Sequence, residues 1–151
     1  MRKNGKKLLP LVLVLVMVLA MLTGAAFAAE PTSGTCGDNV MWTLQNGVLT
    51  ISGTGKMRNY FGGNEYDSRY IPWYNQRDTI KSVVTKSGVT CIGEWAFCDC
   101  TSLTSITIPD SVTIIGDSAF NHCSSLASLE VSPANYKYLS EDNVLFDKAK
   151  S

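Results

Sequence analysis

His122 and Cys123 are adjacent in the chain, and an imidazole beside a thiol is the pairing that activates a cysteine nucleophile. Here the pairing is disfavoured by direction. Neighbouring residues of an extended segment point to opposite faces, and the residue 23 positions before His122 is Asp99, which offers no comparable chemistry. A solvated turn histidine is the expected reading. Cys98 and Cys100 stand in a CxC arrangement, which is not the usual zinc spacing. Glu94 and Asp117 are also 23 apart and would stack as a mild acidic stripe, but no acidic loop carries Ca2+-ligand spacing. GxGxxG, phosphate-loop, HExxH and CxxC motifs are absent. The expectation is therefore no catalytic residue, no metal and no cofactor. Five cysteines (Cys36, Cys91, Cys98, Cys100 and Cys123) cannot all pair within one chain. A column of buried thiols acting as small hydrophobes is the expected arrangement.

The recurring number 23 is the organising feature. Residues 92–109 and 115–132 are identical at Ile92/Ile115, Gly93/Gly116, Ala96/Ala119, Phe97/Phe120, Cys100/Cys123, Ser102/Ser125, Leu103/Leu126 and Ser105/Ser128. Four further pairs are conservative, among them Ile106/Leu129 and Ile108/Val131. The phase extends back to Ile80, since Ile80, Ser82, Val83, Val89 and Thr90 align with Leu103, Ser105, Ile106, Val112 and Thr113. In this first unit Thr85 replaces the apolar residue of the Ile108 position. A fixed period of this size denotes stacked units that cannot bury their apolar faces alone.

Each unit reads as two short extended pieces. In the first, Ile106 and Ile108 alternate inward, and Ser105 and Thr107 outward. Pro109 and Asp110 turn the chain. The second piece ends at Ile115, and Ala119 and Phe120 plug the interior. The expected core is thus Ile92, Phe97, Cys100, Leu103, Ile106, Ile108, Ile115, Phe120, Cys123, Leu126, Leu129 and Val131. Phe120→Ala is expected to be among the most damaging changes, at ~3–5 kcal/mol. The outward strand positions make two rows, Ser82, Ser105, Ser128 and Val84, Thr107, Glu130. Such rows are where a stack of repeats makes extended contacts, and these six residues are the candidate binding positions.

The flanks differ from the repeats. Arg2, Lys3, Lys6 and Lys7 precede an apolar run from Leu8 to Leu22, and Ala26 and Ala28 supply small residues at a cleavage site. This reads as a secretory leader over 1–28, cut after Ala28; the run is shorter than the roughly 20 residues that span a bilayer. Its removal leaves 9 basic and 13 acidic residues, a net charge of −4. That balance makes nucleic acid and anionic membrane surfaces poor partners. Residues 29–35 read as a flexible lead-in, and 36–79 as a β-hairpin followed by an aromatic segment. Asn46-Gly47 is the hairpin turn. Tyr60, Phe61, Tyr66, Tyr70, Trp73 and Tyr74 would cover the open end of the stack, because a terminal unit lacks a neighbour. Residues 80–151 are the repeats, with the last unit broken after Ser132 and a further turn and strand at Asn143. Fewer than three full repeats rarely suffice, so a longer parent protein is expected.

Taken together, Ile92 to Pro109 and Asp110 to Gly116 resemble the BspA-like leucine-rich repeat of bacterial surface proteins. Cys36 to Trp42, Leu49 to Gly55 and Pro72-Trp73 resemble the segment that often precedes such repeats, and Asp142 to Lys148 the unit that often follows. The resemblance implies an α/β leucine-rich-repeat solenoid, right-handed, strand-rich and with little helix, preceded by an N-terminal β-hairpin cap. It implies a secreted or surface-displayed module for adhesion to, or binding of, a protein or glycan, and no catalytic residues belong to the repeat itself. A non-enzymatic monomer with no membrane insertion beyond the leader is expected. The alternatives are a targeting module of a larger exported enzyme encoded beyond residue 151, or a structural spacer.

Overall fold

The computed structural model describes residues 32–62, 65, 66 and 70–149. The leader expected over 1–28, and residues 29–31 of the lead-in, lie outside the described residues. The described chain is strand-rich. In order it forms β1 (Thr32–Thr35), β2 (Val40–Gln45), β3 (Val48–Gly53), β4 (Gly55–Lys56), β5 (Phe61–Gly62), β6 (Glu65–Tyr66), β7 (Ser82–Thr85), β8 (Val89–Ile92), β9 (Ser105–Ile108), β10 (Ile114–Ile115), β11 (Ser128–Val131), β12 (Tyr138–Glu141) and β13 (Val144–Asp147). The longest helical element among the described residues is a 3-10 helix over Tyr74–Thr79.

β2 and β3 form the expected hairpin. Asn46 and Gly47 take φ of 52° and 78°, as a two-residue turn matched to strand twist requires. Inward Val40, Trp42 and Leu44 alternate with exposed residues along β2. Thr32–Thr35 depart from the flexible lead-in expected there: they pair with β2 as antiparallel β1. The strand is held through backbone pairing at the sheet edge and its side chains are largely exposed, so it leaves no apolar pattern in the sequence.

β3 then turns from hairpin strand into the first member of a parallel array. The main sheet runs β1-β2-β3-β7-β9-β11, with β3, β7, β9 and β11 parallel. The 23-residue period sets the register between β7, β9 and β11: Ser82 pairs with Ser105 and Ser105 with Ser128. A second, narrower sheet runs β10-β8-β4. The turns between strands also form ladders, with the Phe97 N–H donating to the Ala119 carbonyl at 2.8 Å and the Asp99 N–H to the Asn121 carbonyl at 3.0 Å. Stacking this close explains the paired glycines. A Cβ on Gly93 would strike the Arg58 carbonyl, and one on Gly116 the Glu94 backbone.

Between the sheets runs a column of aromatic rings. Trp73 stacks on Phe97 with centroids 5.7 Å apart, and Phe97 on Phe120 at 5.8 Å. Trp42 and Tyr60 meet Trp73 edge-on at 5.7 and 5.9 Å. The buried Trp73 Nε1 donates to the Ala96 carbonyl at 3.0 Å. Trp73 therefore heads the phenylalanine column from inside the interior. Offset stacks of this kind contribute ~0.5–1.5 kcal/mol each beyond the apolar area they bury.

Of the twelve expected core residues, Ile92, Phe97, Cys100, Leu103, Ile106, Ile108 and Leu129 are buried. Ile115, Phe120, Cys123, Leu126 and Val131 pack against that core but are only half-buried. They belong to the last unit, where no following repeat within the described residues covers their outer side. The last unit keeps phase further than Ser132. The Val89 N–H donates to the Lys86 carbonyl, the Val112 N–H to the Pro109 carbonyl and the Asn135 N–H to the Ser132 carbonyl, three equivalent turns at 23-residue spacing. Asn135 thus occupies a valine position, fully buried. Its Nδ2 donates to the Pro109 and Val112 carbonyls at 2.8 and 2.9 Å, and its Oδ1 accepts from the Lys137 and Tyr138 N–H groups, both at 2.8 Å. Beyond it β12 and β13 form the final hairpin, with Asp142 and Asn143 in left-handed conformation at its turn.

Candidate functional site

The six candidate positions fall into rows across the parallel strands. Ser82, Ser105 and Ser128 are mutually paired, as are Val84, Thr107 and Glu130. Glu130 is exposed and the other five are half-buried. Both rows are longer than the repeats alone provide. Val48 of β3 pairs with Ser82 and Thr50 with Val84, so the hairpin extends the array. Across the antiparallel pairs Thr50 faces Thr43, and Thr43 faces Ser33. The second row therefore reads Ser33, Thr43, Thr50, Val84, Thr107, Glu130 over six strands. Sequence periodicity cannot reveal this, because Val48 and Ser82 are 34 residues apart and not 23.

Where the row meets the C-terminal ends of β7, β9 and β11, the surface dips into a groove of about 280 Å3. Thr107 and Glu130 line it from the strand face. Pro109 and Pro133 line it from the two equivalent turns, and Ser132 stands beside Pro133. Thr85 lines it from the interior side. In that inward column Thr85 lies between Ile51 and the unit carrying Ile108 and Val131, so it is the polar member of an apolar file. Thr85 is 4% exposed, and its Oγ1 has no hydrogen-bond partner. A second concavity of about 300 Å3 lies at the N-terminal side, between Cys36, Arg58, Tyr60 and Tyr70.

The residues that suggested chemistry are held apart from it. His122 is exposed at a left-handed turn position (φ 59°), and Asp99 has the same φ one unit earlier. The Cys123 thiol instead donates inward to the Phe97 carbonyl at 3.1 Å. All five cysteines are free thiols, and four of them are buried. Burial pushes Cys36 and Cys100 up to about 12 and Cys123 up to about 11; it raises Cys91 as well. At neutral pH these groups are protonated, and a thiol is a far weaker nucleophile than a thiolate. Among the described residues no group of His, Cys, Asp and Glu is arranged to hold a metal ion.

A family model for the BspA type leucine-rich repeat region (6 copies) matches residues 73–148. The chain belongs to the BspA-type leucine-rich repeat family. The match begins at Trp73, the residue that heads the stacked rings, and ends within the turn after β13, so it takes in the aromatic column and the last hairpin. No curated protein matches the sequence significantly. Among solved structures, the chain is similar to a leucine-rich repeat protein from Eubacterium ventriosum, with 25% identity and a TM-score of 0.47. The similarity covers 81% of this chain and 50% of that one, so the chain spans about half the length of that protein. BspA-type repeats are interaction modules, typically non-catalytic, and common in bacterial surface or secreted proteins. Among the described residues no helix is long and apolar enough to cross a membrane.

Proposed function

We propose that this BspA-type chain is an exported, non-catalytic binding module that recognises a protein or glycan through the outward face of its parallel strands. The strands form part of a right-handed leucine-rich solenoid, and the β2–β3 hairpin closes its N-terminal end. The observation that carries the reading is the in-register row from Thr43 through Thr50, Val84 and Thr107 to Glu130. A rigid array of aligned, half-exposed side chains suits extended contact with a partner. The protonated thiols and the separation of His122 from the Cys123 thiol favour recognition over chemistry. The basic, then apolar, segment before Ala28 supports export.

The test is capture of the full chain on immobilised extracellular-matrix glycoproteins and on a glycan array. Thr107→Arg/Glu130→Arg is the paired variant, checked for an unchanged melting temperature. Saturable binding that the variant abolishes is the expected result. Binding that survives the variant unchanged contradicts the strand-face reading, and no ligand on either surface contradicts the module. N-terminal sequencing of protein recovered from the medium should begin at Ala29.

A further inference from the structure

We infer that the groove at the C-terminal ends of β7, β9 and β11 is a subsite for one neutral sugar residue, floored by the Thr85 hydroxyl. The inference rests on the binding-module reading and names the ligand chemistry of one part of its face.

Three observations carry it. First, Thr85 is buried among apolar neighbours with its Oγ1 unpaired, although Ile108 shows that the equivalent position takes an aliphatic side chain. An unsatisfied buried hydroxyl costs ~1–3 kcal/mol in the free protein. The oxygen is closed to solvent as the side chain stands, so a ligand hydroxyl meets it only when Thr85 turns toward the groove; that contact relieves the cost, whereas a purely apolar ligand does not.

Second, the lining selects for hydroxyls and against anions. Thr107, Ser132 and Thr85 can each donate and accept, and the Glu130 carboxylate accepts only. Glu130 is engaged only by a long contact from Ser128 Oγ at 3.4 Å, so its carboxylate has acceptor capacity left. No Lys or Arg lines the groove. A phosphate, sulfate or uronate would meet a carboxylate with no cation to offset it.

Third, the polar groups alternate with flat apolar ones. The Pro109 and Pro133 rings and the Val131 side chain supply an aliphatic surface. A pyranose presents the same alternation, a C–H face with hydroxyls around its edge. The volume, about 280 Å3, is at the lower bound of small-molecule sites, roughly 300 Å3. It therefore suits a single ring and not a peptide segment.

The experiment is a backbone-amide NMR titration of the full chain with methyl glycosides of neutral hexoses and N-acetylhexosamines. N-acetyl-lysine methylamide serves as the probe for a protein partner's cationic side chain. Thr85→Val and Glu130→Gln are titrated beside the parent, with each fold checked by its own spectrum and melting curve. The expected result is that at least one glycoside moves the amides of Thr85, Thr107, Glu130 and Ser132 together. Thr85→Val should weaken that glycoside roughly five- to tenfold, and Glu130→Gln roughly tenfold. Glu130→Gln changes an exposed residue, so it keeps the test decisive should Thr85→Val alter the core. Binding of the lysine probe alone, insensitive to Thr85→Val, overturns the sugar subsite and leaves a protein-binding face. Capture on the array with no groove amide moved overturns the subsite while the module stands. No binding of any kind overturns both.

Discussion

The two sides of the described stack are bounded by different means. At the N-terminal end Trp73 is fully buried, stacked on Phe97 and met edge-on by Trp42 and Tyr60. At the C-terminal end Phe120 stacks on Phe97 by one face and is half-buried. The layer that follows is a polar residue, Asn135, and the β12–β13 hairpin. One end is sealed by apolar contact, which is non-directional. The other is fixed by directional hydrogen bonds that specify a single seating of the last turn. The first arrangement contributes stability, and the second contributes both stability and register.

The largest test of that contrast is a pair of truncations. Phe97→Ala removes a ring packed on both faces and should destabilise by ~3–5 kcal/mol in urea unfolding. Phe120→Ala should lose about half as much, because the ring is partly exposed before it is removed. Sequence alone ranks Phe120 among the most damaging sites; its place at the end of the column corrects that. Equal losses at both positions would mean that the last unit is as well covered as the middle one.

Asn135→Ala comes next. It leaves the Pro109 and Val112 carbonyls and two backbone N–H groups without the amide partner, and should cost ~1–3 kcal/mol. Asn135→Leu should restore none of this, although it is apolar and matches the valines of the preceding units in character. Rescue by leucine would show that the position is merely filled and not hydrogen-bonded.

An alkaline titration should erode stability progressively. Cys36, Cys100 and Cys123 are raised by burial from 9.0 to about 12, 12 and 11. Below pH 9 these thiols are neutral both folded and unfolded. Above it the unfolded chain releases their protons and the folded chain does not, so stability falls as pH rises from about 9 towards 12. Equilibrium unfolding at several pH values checks this, and Cys100→Ala should flatten the slope. The smallest effect belongs to Lys137, whose ammonium sits 2.8 Å from the Asp147 carboxylate across the final hairpin. That hydrogen bond raises the lysine above its ordinary 10.5. Its contribution is present at neutral pH and is lost as pH climbs through the raised value. Lys137→Ala should therefore loosen β12–β13 amides without moving the global midpoint measurably.

Much of this was legible in the residues, and the part that was not has identifiable causes. Period 23 carried the register of β7, β9 and β11, because identical spacing puts Ser82, Ser105 and Ser128 side by side. The Asn46-Gly47 turn carried the first hairpin for a conformational reason. The joining of β3 to β7 was hidden, since the intervening segment is longer than a repeat and breaks the period. Trp73 was legible as part of the end cover, but its place at the head of the phenylalanine column was hidden, since it lies 24 residues before Phe97 and replaces phenylalanine with a larger ring. Asn135 was hidden by chemistry, as a polar residue in a valine column looks like the end of the pattern. The outward rows were visible, but their extension over Thr50, Thr43 and Ser33, and the groove over Thr85, depend on contacts between strands that no spacing encodes.

The β2–β3 hairpin and the repeats share one interior, and the β12–β13 hairpin is separately seated against it. Native-state hydrogen exchange under mild denaturant tests it most directly. Amides of β3, β7 and β9 should exchange together, through global unfolding, and those of β12 and β13 through a smaller opening of lower free energy. The account is contradicted if β3 exchanges ahead of β7 and β9, or if β12 and β13 are as protected as the centre.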